Sequence, residues 1–146
     1  MKSKTILLVE DNPDDIELTL RSLKKHNISN ELIVKRDGQE ALDYLFSEGA
    51  YAGGSANPQP TLILLDIKLP KLNGLEVLKR IRSDERTRTL PVVILTSSNE
   101  ERDVIDGYNN GCNSYIRKPI DFTEFSDAIG RLGIYWLLLN EPQVTK

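Results

Sequence analysis

Glu10 and Asp11, Asp66, Thr96 and Lys118 each stand where an apolar run of the chain stops. The runs are Ile6-Leu7-Leu8-Val9, Leu62-Ile63-Leu64-Leu65, Val92-Val93-Ile94-Leu95 and Tyr115-Ile116. Three carboxylates, a hydroxyl and an ammonium brought together suit a divalent cation and a phosphoryl group. Crowded carboxylates raise each other's pKa, so they stay ionised together only when a cation joins them. Magnesium is the expected guest, since it takes hard oxygen ligands and one or two carboxylates beside phosphate. His26 and Cys112 are the only histidine and cysteine, which excludes a His/Cys metal site.

With a cation in place, one carboxylate can act as a nucleophile toward phosphorus and become an aspartyl phosphate. Such transfer asks mainly for in-line positioning and charge neutralisation. Lys118 would neutralise phosphoryl oxygens and Thr96 would donate a hydrogen bond to another. Lys118 precedes Pro119, and an X-Pro bond can be cis, which would aim the lysine inward. Singly, each residue has a plainer role. Asp11 and Asn12 can cap a helix, and Asp14 and Asp15 can complement its dipole. Lys118 can be an ordinary surface lysine. Their joint placement is what favours chemistry.

Strands buried on both faces of a parallel sheet read as short, wholly apolar runs. Here they fall at 4–9, 31–35, 61–65, 91–95 and 113–117, and they alternate with helical patterns, the signature of repeated βαβ units. Helix one has Asn12 as cap, Pro13 at its first position and an inner stripe of Ile16, Leu20 and Leu23. Helix two follows Gly38 with Ala41, Leu42, Leu45 and Phe46 inward. Helix three runs from Gly74 through Leu75, Leu78 and Ile81, and helix four carries Val104, Ile105 and Tyr108. Helix five has the stripe Phe122, Phe125, Ile129, Leu132 and Trp136, interrupted by Gly130 and Gly133. Ligands of such sheets bind in the crevice at the carboxyl ends of the strands, where all the singled-out residues fall.

At 146 residues the chain fits one domain, expected over 1–139 with a polar tail at 140–146. A net charge of −3 argues against nonspecific nucleic-acid binding. One cysteine allows no internal disulfide, and no apolar run is long enough for a signal or a membrane span, so the expected compartment is the cytoplasm. Residues 48–60, EGAYAGGSANPQP, form an unusually long loop before strand three, either a tolerated insertion or a partner-contacting loop anchored by Tyr51.

The segments ILLVEDN at 6–12, LLDIKLPKLNG at 64–74, ILTSS at 94–98 and YIRKPID at 115–121 resemble the receiver domain of two-component response regulators. The motifs occur in order and span essentially the whole chain. The resemblance implies an α/β fold: a five-stranded parallel sheet in the order 2-1-3-4-5, doubly wound (flavodoxin-like), with five helices. It implies Asp66 as phosphoacceptor, and Glu10, Asp11, Asp66 and the backbone carbonyl of Lys68 as magnesium ligands. Thr96 and Tyr115 would be the switch residues, Lys118 the phosphoryl-neutralising lysine, and Pro70 and Gly74 the turn and helix entry after the acceptor. The partner would be a sensor histidine kinase or a phosphotransfer protein. The surface of helix four, strand five and helix five would change on phosphorylation and could form a homodimer. With no output module after strand five, the chain is similar to single-domain regulators, and its loop and YWLLLNEP tail resemble the phytochrome-associated subgroup. Lys68 and Ser98 would flank the attacking water and tune the lifetime of the phosphorylated state.

Three other readings stay open. A pseudo-receiver would bind partners without phosphorylation, but such proteins usually lose an acid, the acceptor or the lysine. An aspartate-nucleophile phosphatase would carry a second Asp two positions after the nucleophile, where Lys68 stands. A nucleotide or flavin module would want a Gly-rich loop after strand one, where EDNPDD stands instead.

Overall fold

The apolar runs form the strands of one parallel sheet in a computed structural model that describes residues 4–25, 28, 30–48, 59–97, 101–118 and 121–138. The strands are β1 (Thr5–Val9), β2 (Glu31–Lys35), β3 (Leu62–Asp66), β4 (Val92–Thr96) and β5 (Ser114–Arg117). The helices are α1 (Pro13–Lys25), α2 (Gly38–Phe46), α3 (Gly74–Ser83), α4 (Glu101–Asn109), α5 (Phe122–Leu132) and the single turn α6 (Tyr135–Leu138). All pairings are parallel and the order is β2-β1-β3-β4-β5, so the winding reverses beside β1 and opens a crevice between β1 and β3.

Because side chains alternate across a strand, each apolar run feeds two cores. Ile6, Leu8, Leu62, Leu64, Val93 and Leu95 meet Ile16 and Leu23 of α1 and Phe125, Ala128 and Ile129 of α5. Leu7, Val9, Ile63, Leu65, Val92 and Ile94 meet α2 and α3 on the opposite face. Strands β1, β3 and β4 are buried throughout, whereas the edge strand β2 is only partly covered.

The expected stripes need adjustment. In α1 the third buried residue is Thr19, whose hydroxyl donates to the Asp15 carbonyl at 2.9 Å, while Leu20 is half-buried. In α3, Val77 joins Leu78 and Ile81 in the core, while Leu75 is half-buried. Tyr108 of α4 is exposed.

The stripe read as one helix to Trp136 is broken after Leu132. Gly133 adopts φ 71° and ends α5. The Gly133 N–H donates to the Gly130 carbonyl (3.2 Å) and the Ile134 N–H to the Ile129 carbonyl (3.1 Å). This left-handed close turns the chain so that Ile134 and Leu138 pack under α5.

The loop 48–60, including Tyr51, falls almost wholly outside the described residues, as do His26, Ser98, Pro119 and the tail from 139. Among the described residues no helix is long and apolar enough to cross a membrane.

Candidate functional site

Strand alternation decides which site residues share a face. Glu10 continues the Ile6-Leu8 series of β1, Asp66 the Leu62-Leu64 series of β3, and Lys118 follows Ile116 of β5. All three therefore emerge on the side covered by α1 and α5. Thr96 continues the Val92-Ile94 series and lies on the other face, where Tyr115, paired with Ile94, packs against the second core. The acids with the lysine, and the threonine with the tyrosine, are thus two sets on opposite faces of one sheet edge.

The turn from β1 into α1 is built around Asn12. Its Oδ1 accepts from the N–H groups of Asp14 (2.8 Å) and Asp15 (3.2 Å), and its own N–H donates to Glu10 Oε2 at 3.2 Å. After β3 the chain folds back on itself. The Gly74 N–H donates to the Ile67 carbonyl at 2.6 Å, and Asn73 caps α3 by accepting from Leu75 and Glu76. Lys68 in this loop has an exposed side chain.

At the centre lies the Lys118 ammonium. It donates to Glu10 Oε1, to Asp15 Oδ2 at 2.9 Å and to Asp66 Oδ2 at 3.2 Å. The Lys118 side chain is 7% exposed, against 2% for Glu10 and 8% for Asp66. Its backbone N–H donates to the Thr96 carbonyl at 2.8 Å, which fixes the residue at the crevice rather than at the surface. Thr96 itself is fully buried and Asp11 is exposed.

Asp15 is the member that sequence reasoning assigns only to the helix dipole. Side chains of an α-helix tilt toward its N-terminus, so a first-turn residue of α1 leans back over the strand edge. That tilt is the signal from which its reach to Lys118 could have been read.

Burial pushes the Glu10 carboxyl up to about 7; the Lys118 hydrogen bond opposes the rise and the charge of Asp66 adds to it. Burial alone would lower the Lys118 ammonium, but Glu10, Asp15 and Asp66 outweigh it and raise its pKa. The lysine stays charged and, among the described residues, is the cation in contact with these carboxylates.

Glu10, Asp11 and Asp66 each offer an oxygen, all within 4.8 Å of one another. Oxygens on one magnesium ion, at about 2.1 Å from it, lie at most about 4.2 Å apart. A small rotation, available to the exposed Asp11, closes the set. The three carboxylates therefore fit a hard divalent cation.

Tyr115 is half-buried and, with Tyr108, Arg117 and Arg131, lines a groove of about 710 Å³ between α4, β5 and α5.

A doubly wound sheet with an acid-rich, cation-competent carboxyl edge and a buried lysine beside it defines a receiver-type domain. The chain belongs to the response regulator receiver domain family, which it matches over residues 6–130. Among curated relatives it is 41% identical to the probable methanogenesis regulatory protein FilR2 of Methanothrix harundinacea, over 92% of this chain and 84% of that protein. It is 40% identical to the response regulator Rcp1 of Synechocystis sp., over 92% of this chain and 89% of that protein. Among solved structures, the bacteriophytochrome response regulator RtBRR superposes with a TM-score of 0.84 at 53% identity, covering 97% of this chain and 85% of that one. The phosphorylated cyanobacterial phytochrome response regulator RcpA gives 0.77 at 38%, covering 96% and 98%. The Mn(2+)-bound form of Rcp1 gives 0.76 at 38%, covering 97% and 99%.

Proposed function

We propose that this chain is a cation-dependent phosphoacceptor switch in which Asp66 takes a phosphoryl group from a sensor histidine kinase or a phosphotransfer protein. The observation that carries the reading is the placement of Asp66 beside both a cation-competent acid pair and the Lys118 ammonium. Glu10, Asp11, Asp66 and the Lys68 carbonyl would hold magnesium, which would add positive charge to that of Lys118. An Asp66 carboxylate oxygen then bonds to phosphorus as the bond from phosphorus to the donor's leaving atom breaks, and the leaving group departs with that electron pair. Lys118 releases Asp66 and donates to phosphoryl oxygens, and Thr96 donates a further hydrogen bond.

The chemistry acts on the protein itself and turns over no separate substrate. Phosphorylation adds charge and acceptor oxygens at Asp66. Thr96 and Tyr115 share the opposite face, so movement of Thr96 toward the phosphoryl group would free space for the Tyr115 ring. That ring borders the α4-β5-α5 groove, which would be remodelled for a partner or a second copy. The domain is taken as 1–139 and the tail as 140–146.

The likeness to the phytochrome regulators RtBRR and RcpA favours a phytochrome-type kinase as partner. Incubation with a small acyl phosphate and magnesium, followed by intact-mass measurement, tests the reading. One phosphoryl group on the wild type, and none on Asp66→Asn or in chelator, is the expected result. No adduct on the wild type would favour a phosphorylation-independent binding module.

A further inference from the structure

Lys118 has three N–H donors and three carboxylate partners, and the partners differ in what the proposed chemistry asks of them. Glu10 and Asp66 belong to the cluster that fits a divalent cation, and Asp66 would also carry the phosphoryl group. Asp15 belongs to neither. It projects from the first turn of α1, and its side chain is 24% exposed while that of the lysine it meets is 7% exposed. Were a cation to draw Glu10 and Asp66 to itself, Asp15 would be the carboxylate, among the described partners of the Lys118 ammonium, that lies outside the cation cluster.

We propose that Asp15 is a positioning residue: its 2.9 Å hydrogen bond holds the Lys118 ammonium over Asp66 while the other two donors turn from carboxylates to phosphoryl oxygens. A lysine side chain is long and carries about 2 kcal/mol of rotamer entropy. Held at its tip from α1, it enters the reaction already aimed, and misplacement of a neutralising charge is costly to phosphoryl transfer. Without the tether the ammonium settles onto Glu10 and Asp66, where it competes with the cation. The inference rests on the receiver reading above.

The test is the rate of phosphorylation by a small acyl phosphate at saturating magnesium, read by intact mass, with magnesium affinity measured on the same samples. Asp15→Ala should slow the reaction about tenfold, within the range measured for coupled neighbours. Asp15→Asn keeps an acceptor oxygen without the charge and should stay within about threefold of wild type. Asp15→Ala/Lys118→Ala should be no slower than Lys118→Ala alone, because Asp15 acts through the lysine. A wild-type rate in Asp15→Ala, with the wild type labelled, overturns this inference and leaves the receiver reading standing. Equal slowing in Asp15→Asn and Asp15→Ala overturns it in favour of bulk charge. A double variant slower than Lys118→Ala overturns it in favour of a separate role. No adduct on the wild type, or an adduct on Asp66→Asn, overturns the receiver reading and this inference with it.

Discussion

A β-carbon at Gly74 would stand 2.0 Å from the carbonyl oxygen of Asp66. The helix α3 thus starts in contact with the backbone of Asp66, and only a residue without a side chain fits. Gly74→Ala must push α3 or the end of β3 aside. We expect a loss of about 1–3 kcal/mol in urea unfolding, as for other overpacked sites, together with slower phosphorylation. Wild-type stability in this variant would contradict the close approach.

Lys71, in the same loop, adopts φ 67°. The left-handed region costs an L-residue roughly 1–2 kcal/mol, and glycine returns part of that gain through the entropy of its unfolded chain. The ion pair from Lys71 to Asp37, 3.5 Å long on a largely exposed side chain, adds little. Lys71→Gly should therefore be more stable by about 0.5–1 kcal/mol. A lower urea midpoint would mean that the ion pair outweighs the backbone.

Arg82 fastens α3 to the loops around it. Its guanidinium donates to the carbonyls of Gly111 (2.8 Å), Arg88 (3.0 Å) and Leu90 (2.7 Å) and to Asn113 Oδ1 (2.9 Å). A lysine keeps the charge but not the planar fork. Arg82→Lys should lose about 1 kcal/mol, because the part-buried carbonyls of Gly111 and Leu90 lose charge-assisted donors, and should keep its phosphorylation rate. Chemical denaturation beside the mass assay checks both halves.

Cys112 is 7% exposed, and burial pushes its thiol up to about 11, with the nearby charge of Arg82 opposing the rise. The folded value exceeds the ordinary 9.0, so the fold favours the protonated thiol. That contribution is complete below pH 9 and is lost as pH rises through about 11. Cys112→Ala should therefore show a shallower fall in stability across that range than wild type. In the native wild type at pH 8, thiol reagents should react only when the protein unfolds.

The strands were legible because each is an apolar run ended by a polar residue, and two of those ends, Glu10 and Asp66, are adjacent in the sheet. The pairing of Val9 with Leu65 sets that adjacency, a register that local sequence does not encode. Asn12, Pro13 and the α2 stripe were legible from capping and periodicity. Thr19 was not, since its hydroxyl marks it as polar until the backbone of α1 satisfies it. By propensity Gly133 is only a weak point within a helix; its positive φ makes it the end of one. Asp15 was hidden because the dipole of α1 explains an acid in the first turn without reference to β5. Its ammonium partner is 103 residues away in sequence, beyond any local pattern.

The most direct measurement of the central claim is chemical trapping of the phosphorylated residue. Borohydride reduces an aspartyl phosphate to homoserine, and peptide mass spectrometry locates the change. The account predicts homoserine at position 66, in the tryptic peptide that ends at Lys68, only when phosphodonor and magnesium are both present. Homoserine at another acidic position, or an adduct that forms without trapping at Asp66, would contradict it.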